Sequence, residues 1–266
     1  MRYASHGRTD RGRVRPHNED DILVAPEDGV FAVADGMGGH AAGEVASRTA
    51  IQALRDALCG TRDESLPAGE LLRRAVERAN LEIARSIETH PEYRGMGTTI
   101  VVAMLKPDGG CAIAHVGDSR AYLVRDDAIR QLTTDHSFVN ELVRLGMLSR
   151  EQAARDPRRN VVTRALGSAQ VVVPDVVEIR LEPGDVLLLC SDGLNTMLGD
   201  DEILAHVVAA GRDPAAMSER LVAAANDAGG EDNVSVVAIA CEGDVDPAAV
   251  RRTAPNRTLG PGTGGE

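Results

Sequence analysis

Apolar positions along this chain fall into short β-branched runs, broken by two long stretches of helical period. The runs predict strands at residues 21–25, 30–34, 98–105, 111–116, 121–124, 171–179, 185–190 and 234–241. Helices are predicted at 41–58, 70–87, 137–145, 200–210 and 214–228. In the second of these, Leu71, Leu72, Ala75, Ala79, Ile83 and Ile87 make one apolar stripe near the 3.6-residue period. The strands come in adjacent groups with few strand–helix–strand alternations. That order favours antiparallel sheets with helices packed outside them over a doubly wound parallel sheet. From residue 243 the pattern stops: GDVDPAAVRRTAPNRTLGPGTGGE has almost no large apolar residue, which predicts a disordered tail at 243–266. No internal repeat is visible, so a single domain is expected over 1–242.

Composition narrows the functional classes. Acidic residues outnumber basic ones 41 to 29, the reverse of the basic footprint of a nucleic-acid binder. No apolar run reaches the roughly 18–20 residues of a membrane span. MRYASHGRTDRGR at the start lacks the apolar stretch of a signal peptide, so the cytoplasm and no membrane partner are expected. Cys59, Cys111, Cys190 and Cys241 are scattered and form no CxxC pair, which argues for small core hydrophobes over a disulfide framework or thiolate zinc site.

The informative feature is aspartate at strand ends. VFAVADG puts Asp35 after an apolar run and before a glycine, and LLLCSDG does the same with Asp192; in CAIAHVGDSR, Asp118 follows an apolar run with its glycine just ahead of it. Asp232 lies just before the last apolar run, and Glu19 and Asp20 just before the first. Any one of these alone reads as a turn former, since Asp-Gly after a strand is common. Four in the same setting point to convergence at one sheet edge. Carboxylates gathered there would repel each other unless cations held them, and carboxylate, carbonyl and water oxygens are the ligands of Mg²⁺ or Mn²⁺.

At these residues the sequence resembles the bacterial branch of the protein phosphatase 2C family of metal-dependent Ser/Thr phosphatases. The motifs occur in the family's order: RPHNED at 15–20, DGMGGHAAGE at 35–44, GMGTT at 95–99, GDSR at 117–120, LTTDHS at 132–137, TRALG at 163–167, SDG at 191–193 and EDNVSVV at 231–237. The resemblance implies an α+β four-layer sandwich, two antiparallel sheets flanked by helices, with a metal site at one edge of the sheets. It implies that Asp35 bridges two cations, Mn²⁺ or Mg²⁺, and that the Gly36 carbonyl ligates one. Asp192 and Asp232 would complete the second, Glu19 and Asp20 would hold metal-bound waters, and Asp118 with Asp192 would bind a third, weaker cation. Arg15 would grip the substrate phosphate, and a water bridging the metals would attack phosphorus directly. Phosphoproteins are then the substrates, a Ser/Thr kinase is the opposing enzyme, and the protein is expected to be a monomer.

Two positions depart from animal members of that family. They carry His directly after the Asp-Gly pair as a candidate general acid, where this chain has Met37; His40 is near in sequence. After SDGL stand Asn195 and Thr196, where animal members often have an Asp for the third metal. The segment 136–166 matches the family's mobile flap, expected to influence substrate access. His115, in an apolar run, reads as a packed core residue rather than a ligand.

Rival chemistries fail on spacing. Gly36-x-Gly38-x-x-Ala41 fits a dinucleotide fingerprint on paper, but Asp35 would repel pyrophosphate and no second parallel strand follows. A cysteine phosphatase needs Cys-x5-Arg, and the residues six after the four cysteines are Ser65, Gly117, Thr196 and Pro247. The only lysine, Lys106, lies outside any GxxxxGK[ST] loop. A pseudophosphatase that binds phosphoproteins without turnover remains as the alternative; the complete set Asp35, Gly36, Asp192 and Asp232 weighs against it.

Overall fold

The computed structural model describes residues 1–38, 42–60 and 66–242. The tail predicted at 243–266, along with His40, lies outside the described residues. In chain order the elements are β1 (Arg2–Asp10), β2 (Asp20–Ala25), β3 (Val30–Met37), α1 (Ala42–Leu58), α2 (Ala68–Thr89), β4 (Gly97–Thr98), β5 (Ile100–Leu105), β6 (Gly110–Val116), β7 (Arg120–Arg125), β8 (Ala128–Gln131), α3 (Phe138–Arg144), α4 (Arg150–Arg155), β9 (Asp175–Arg180), β10 (Val186–Cys190), α5 (Asp192–Asn195), α6 (Asp200–Ala209), α7 (Pro214–Asp227) and β11 (Val234–Glu242).

One sheet has the order β1-β11-β10-β7-β8 and the other β2-β3-β5-β6-β9, with the short β4 paired to β3. All these pairings are antiparallel. The two-residue period of each strand sorts its side chains. Phe31 and Val33 of β3, Leu187 and Leu189 of β10, and Val237 and Ile239 of β11 fill the layer between the sheets. Ala32 and Ala34 turn the other way and pack with Ala46, Ala50 and Leu54 of α1 and Leu72, Ala79 and Ile83 of α2. Leu188, Val236 and Ala238 meet Ile203 and Val207 of α6 and Met217 and Leu221 of α7. The result is the four-layer order helix, sheet, sheet, helix. Strands covered on both faces are apolar throughout, which is why the central ones stand out in the sequence.

The elements without such runs are those the apolar pattern misses. β1 lies at a sheet edge, yet all nine of its residues pair with β11. Its inward positions Tyr3, Ser5, Gly7 and Thr9 carry little apolar bulk, and Thr9 Oγ1 instead bonds the Ser235 hydroxyl at 2.8 Å. β8 returns from β7 through Asp126 and Asp127, both with positive φ. That two-residue turn is usually signalled by Asn-Gly, and here no glycine marks it. α4 is a polar single turn and a half, closed by a Ser149–Gln152 capping box. The strand expected at 171–179 starts only at Asp175, because Pro174 has no N–H to give the ladder; Val171 and Val173 are exposed. The run at 98–105 is split at Thr99 into β4 and β5.

Leu187 is fully buried in the layer that joins the two sheets. Leu187→Ala leaves a cavity there and is expected to lower unfolding free energy by about 2–5 kcal/mol, read as a lower urea midpoint at unchanged m-value.

Candidate metal centre

The sheet geometry brings the acidic residues to one end of the sandwich. Asp20 opens β2 directly opposite Asp35 on β3. Counting by twos from Ile22 and Val24, and from Phe31 and Val33, puts both carboxylates on the inward face. β6 ends two residues before Asp118, Asp192 follows β10 as the first residue of α5, and Asp232 lies two residues ahead of β11. β1 ends at the same edge, paired with the start of β11, and the loop after it carries Arg15 and Glu19. Gly193 lets α5 sit directly on the backbone beside Asp232: a Cβ there would stand 2.0 Å from the Asn233 carbonyl oxygen. Asp192 and Asp232 are thereby neighbours.

A cavity of about 320 Å³ opens at this edge, lined by Arg15, Glu19, Asp35, Gly36, Asp118, Asp192 and Asp232, with Met37, Gly38, Thr99, Asn160, Val162 and Asn233. Of the sequence-nominated site residues only Asp20 is not in its lining. Asp20 is buried, with Oδ2 accepting from the Ser191 hydroxyl at 2.8 Å and Oδ1 without a partner.

Backbone and side-chain hydrogen bonds hold these groups in place. The Asp35 carbonyl accepts from the Thr98 hydroxyl and the Thr99 N–H, both at 2.9 Å. Asn233 accepts the Glu19 N–H at 2.8 Å and donates to the Arg11 and His17 carbonyls at 2.9 Å. That side chain staples the loop bearing Arg15 to the residue after Asp232. Arg15 Nη2 donates to Asp232 Oδ2 at 2.7 Å, with half of its own side chain exposed. Among the described residues Arg15 is the one cationic side chain lining this cavity, against five acidic ones.

Electrostatics follow from that imbalance. Burial and the surrounding carboxylates push Asp35 well above the ordinary aspartate range. Burial, with neighbouring aspartates, raises Asp20 to about 7 and Asp118 to about 7. Asp192 rises to about 6 through burial and Asp232, and Glu19 also rises, mainly through burial. A set of oxygen ligands this crowded, with an orphaned buried carboxylate oxygen on Asp20, fits divalent hard cations.

A second, larger groove of about 680 Å³ adjoins the first and shares Asp118, Asp192 and Asn160 with it. Its far side is built by α3, α4 and the segment after them, including Asn140, Arg150 and Arg159. Asn195 and Thr196 line it opposite.

His115, His136 and Asp175 form a separate cluster, their ligand atoms within 4.8 Å of one another. The Arg164 guanidinium already closes it, 2.7 Å from His136 Nε2 and 2.9 Å from Asp175 Oδ1. His115 is buried, stacked on His136 at 4.8 Å between ring centroids. Parallel rings cannot both aim in-plane lone pairs at an ion between them. Burial and Arg164 bring His136 down to about 4, so the ring is neutral at physiological pH.

Thr99, Ser191 and Asn233 support the site, and each lies inside a motif already visible in the chain: GMGTT, SDG and EDN. Asn160 is in no such motif. Only the folding back of 138–166 brings it to the cavity.

The protein phosphatase 2C family description matches residues 10–224. The serine/threonine phosphatase stp of Listeria innocua is 42% identical over 238 residues, which cover 87% of this chain and 93% of its own. Among solved structures, the serine/threonine phosphatase Stp1 of Staphylococcus aureus matches with a TM-score of 0.85 at 36% identity, over 91% of this chain and 96% of that one. The catalytic domain of the serine/threonine phosphatase PstP, solved in complex with two manganese ions, matches with a TM-score of 0.82 at 36% identity. That match spans 91% of this chain and 99% of the PstP chain.

The raised carboxylates set a pH dependence. A carboxyl whose folded pKa exceeds its unfolded value of about 3.9 adds stability at low pH, and that stability is lost as pH rises through the folded value. For Asp192, Asp20 and Asp118 the loss falls between about pH 4 and 7. Protein stripped of divalent cations is therefore expected to melt at lower temperature at pH 8 than at pH 5.5. Added Mn²⁺ should raise the midpoint more at pH 8, as thermal scans with and without chelator would show.

Proposed function

The chain belongs to the protein phosphatase 2C family, and on that footing we propose that it is a protein serine/threonine phosphatase that works with Mn²⁺ or Mg²⁺ held by its clustered carboxylates. The observation that carries this reading is the cavity itself: five acidic side chains and one arginine at the ends of six strands.

Asp35 is pressed by Asp20, Asp192, Asp118 and Asp232 alike, so it suits the bridging place between two cations, with the Gly36 carbonyl beside it. Asp192 and Asp232 would complete the second cation. Glu19 and the buried Asp20 would orient water around the first. Asp118 and Asp192 line both cavities, so a third, weaker cation would sit where the phosphate site meets the groove. The bound pair supplies a water ionised near neutral pH and positive charge opposite the phosphoryl oxygens. Arg15, half exposed at the rim and paired there with Asp232, would offer its guanidinium to the substrate phosphate as a two-pronged donor. Met37 lines the cavity but its thioether has no proton to give, so the leaving oxygen must draw its proton from elsewhere.

The larger groove would receive the polypeptide around the phosphorylated residue, consistent with phosphoproteins as substrates. Proteins phosphorylated by a Ser/Thr kinase of the same cell are the natural pool, and a monomer acting in the cytoplasm is the simplest setting. No described helix is long and apolar enough to cross a membrane. The catalytic unit would end with β11. That strand starts at the site edge and runs away from it, so Glu242 stands on the order of 25–30 Å from the metal ligands at about 3.3 Å per residue. The pseudophosphatase alternative has no observation in its favour.

Turnover of a phosphothreonine peptide is expected with Mn²⁺ or Mg²⁺ and is expected to vanish on exhaustive chelation; undiminished activity after chelation would refute the reading. Asp35→Asn should cut the rate by at least about 10²-fold and weaken cation binding in calorimetric titration. Asp118→Asn should leave the tightly bound pair in place. It should slow phosphopeptide hydrolysis by about 10²–10³-fold and aryl phosphate, with its better leaving group, by less.

A further inference from the structure

We propose that His136 is a positioning residue for Asp118: it clasps the peptide that presents this carboxylate and ties it to the segment forming the far wall of the groove. The proposal rests on the reading of Asp118 as a third-cation ligand given above.

The motif LTTDHS at 132–137 contributes no side chain to the metal cavity. Its place is directly behind Asp118. The His136 backbone N–H donates to the Gly117 carbonyl at 2.9 Å, and the Gly117 N–H donates to His136 Nδ1 at 3.0 Å. A single residue thus takes both backbone polar groups of the residue before Asp118. Gly117 needs such a hold. Its φ of +106° is one that other residues rarely adopt, and a Cβ would meet Thr99 at 2.6 Å. On the other side of Asp118, the preceding residue of the motif acts in parallel: Asp135 receives Arg120 through three contacts of 2.7–3.1 Å. Asp135 and His136 therefore grip positions 120 and 117, and the turn between them is buried.

The rest of the His136 residue faces the groove wall. Its carbonyl accepts the Thr163 N–H at 2.8 Å, and its Nε2 faces Asp175 and Arg164. Its ring is stacked on the buried His115 of β6. Through these contacts the ring cannot shift without moving the chain at 163–164 as well. Removing Nδ1 leaves a buried Gly117 N–H unpartnered and frees the Asp118 turn to drift. Loss of a group that orients a metal ligand typically costs about 10–100-fold in metal affinity or activity.

The test compares His136→Leu, His136→Asn and His136→Gln. An asparagine amide can place an oxygen near the Nδ1 position, whereas a glutamine amide reaches the Nε2 position. Mn²⁺ binding is measured by calorimetry, separating the tight pair from the weaker cation, together with kcat and KM on a phosphopeptide and the thermal midpoint. His136→Leu is expected to weaken the third cation and lower kcat by about 10–100-fold each, with the tight pair unchanged. His136→Asn should recover most of both, and His136→Gln should not. Parental third-cation affinity and kcat in the leucine variant would overturn the proposal. If that variant does not fold, asparagine performing no better than glutamine overturns it as well. Asp118→Asn, measured alongside, separates the two levels. No change there refutes the third-cation reading itself. Impairment there with none in His136→Leu refutes only the positioning role.

Discussion

Carboxylates crowded into a half-buried cavity repel one another, and the frame around them must keep them close despite it. Here the frame is two sheets whose inward faces are locked by Phe31, Val33, Leu187, Leu189, Val237 and Ile239. A strand in such a sheet cannot slip by one residue without turning its whole apolar set outward. The register that turns Ile22 and Val33 toward the layer between the sheets therefore also forces Asp20 and Asp35 to face each other. Site geometry and core packing are set by the same alternation. A layer of short polar side chains, Ser191, Ser235, Thr9 and Asn18, lies between the acidic edge and the apolar core and absorbs the change of polarity through mutual hydrogen bonds.

Two cavities meeting at Asp118 and Asp192 divide the tasks of the molecule. The smaller one concentrates negative charge beside a single arginine, which suits cations and a phosphoryl group. The larger one is walled by α3, α4 and the chain that follows, a part of the molecule with little buried apolar surface: among the described side chains of its helices, Val139 and Ala153 are the buried ones. Such a wall is held by polar contacts, the Arg120–Asp135 and Arg164–Asp175 pairs foremost. Elements secured in this manner are the ones that open locally at low cost.

How much of this could be read beforehand depends on the kind of residue. Central strands and the long helices were legible because both faces, or one stripe, had to be apolar. The acidic residues were legible because each follows or precedes such a run, although no spacing along the chain says that Asp20 faces Asp35; only the β2–β3 register does. β1 was illegible because, Tyr3 apart, its inward side chains are small or polar and its existence depends on β11, more than two hundred residues away. Asn160 was illegible for a similar reason: it reaches the cavity through a fold-back whose local sequence carries no period. Asn233 and Ser191 stood in plain motifs, but what they hold, the Arg15 loop and the Asp20 carboxylate, is a matter of tertiary contact.

The pairing of β1 with β11 also has a temporal side. Arg15 and Asp232 face each other from near opposite ends of the chain, and the loop of Arg15 is stapled by Asn233. On a ribosome, the first half of the polypeptide can align Asp35 with Asp20, but the cavity still lacks Asp192 and Asp232. β1 has no ladder partner until the final strand emerges. The acidic cavity is thus complete only once the last strand closes the sheet.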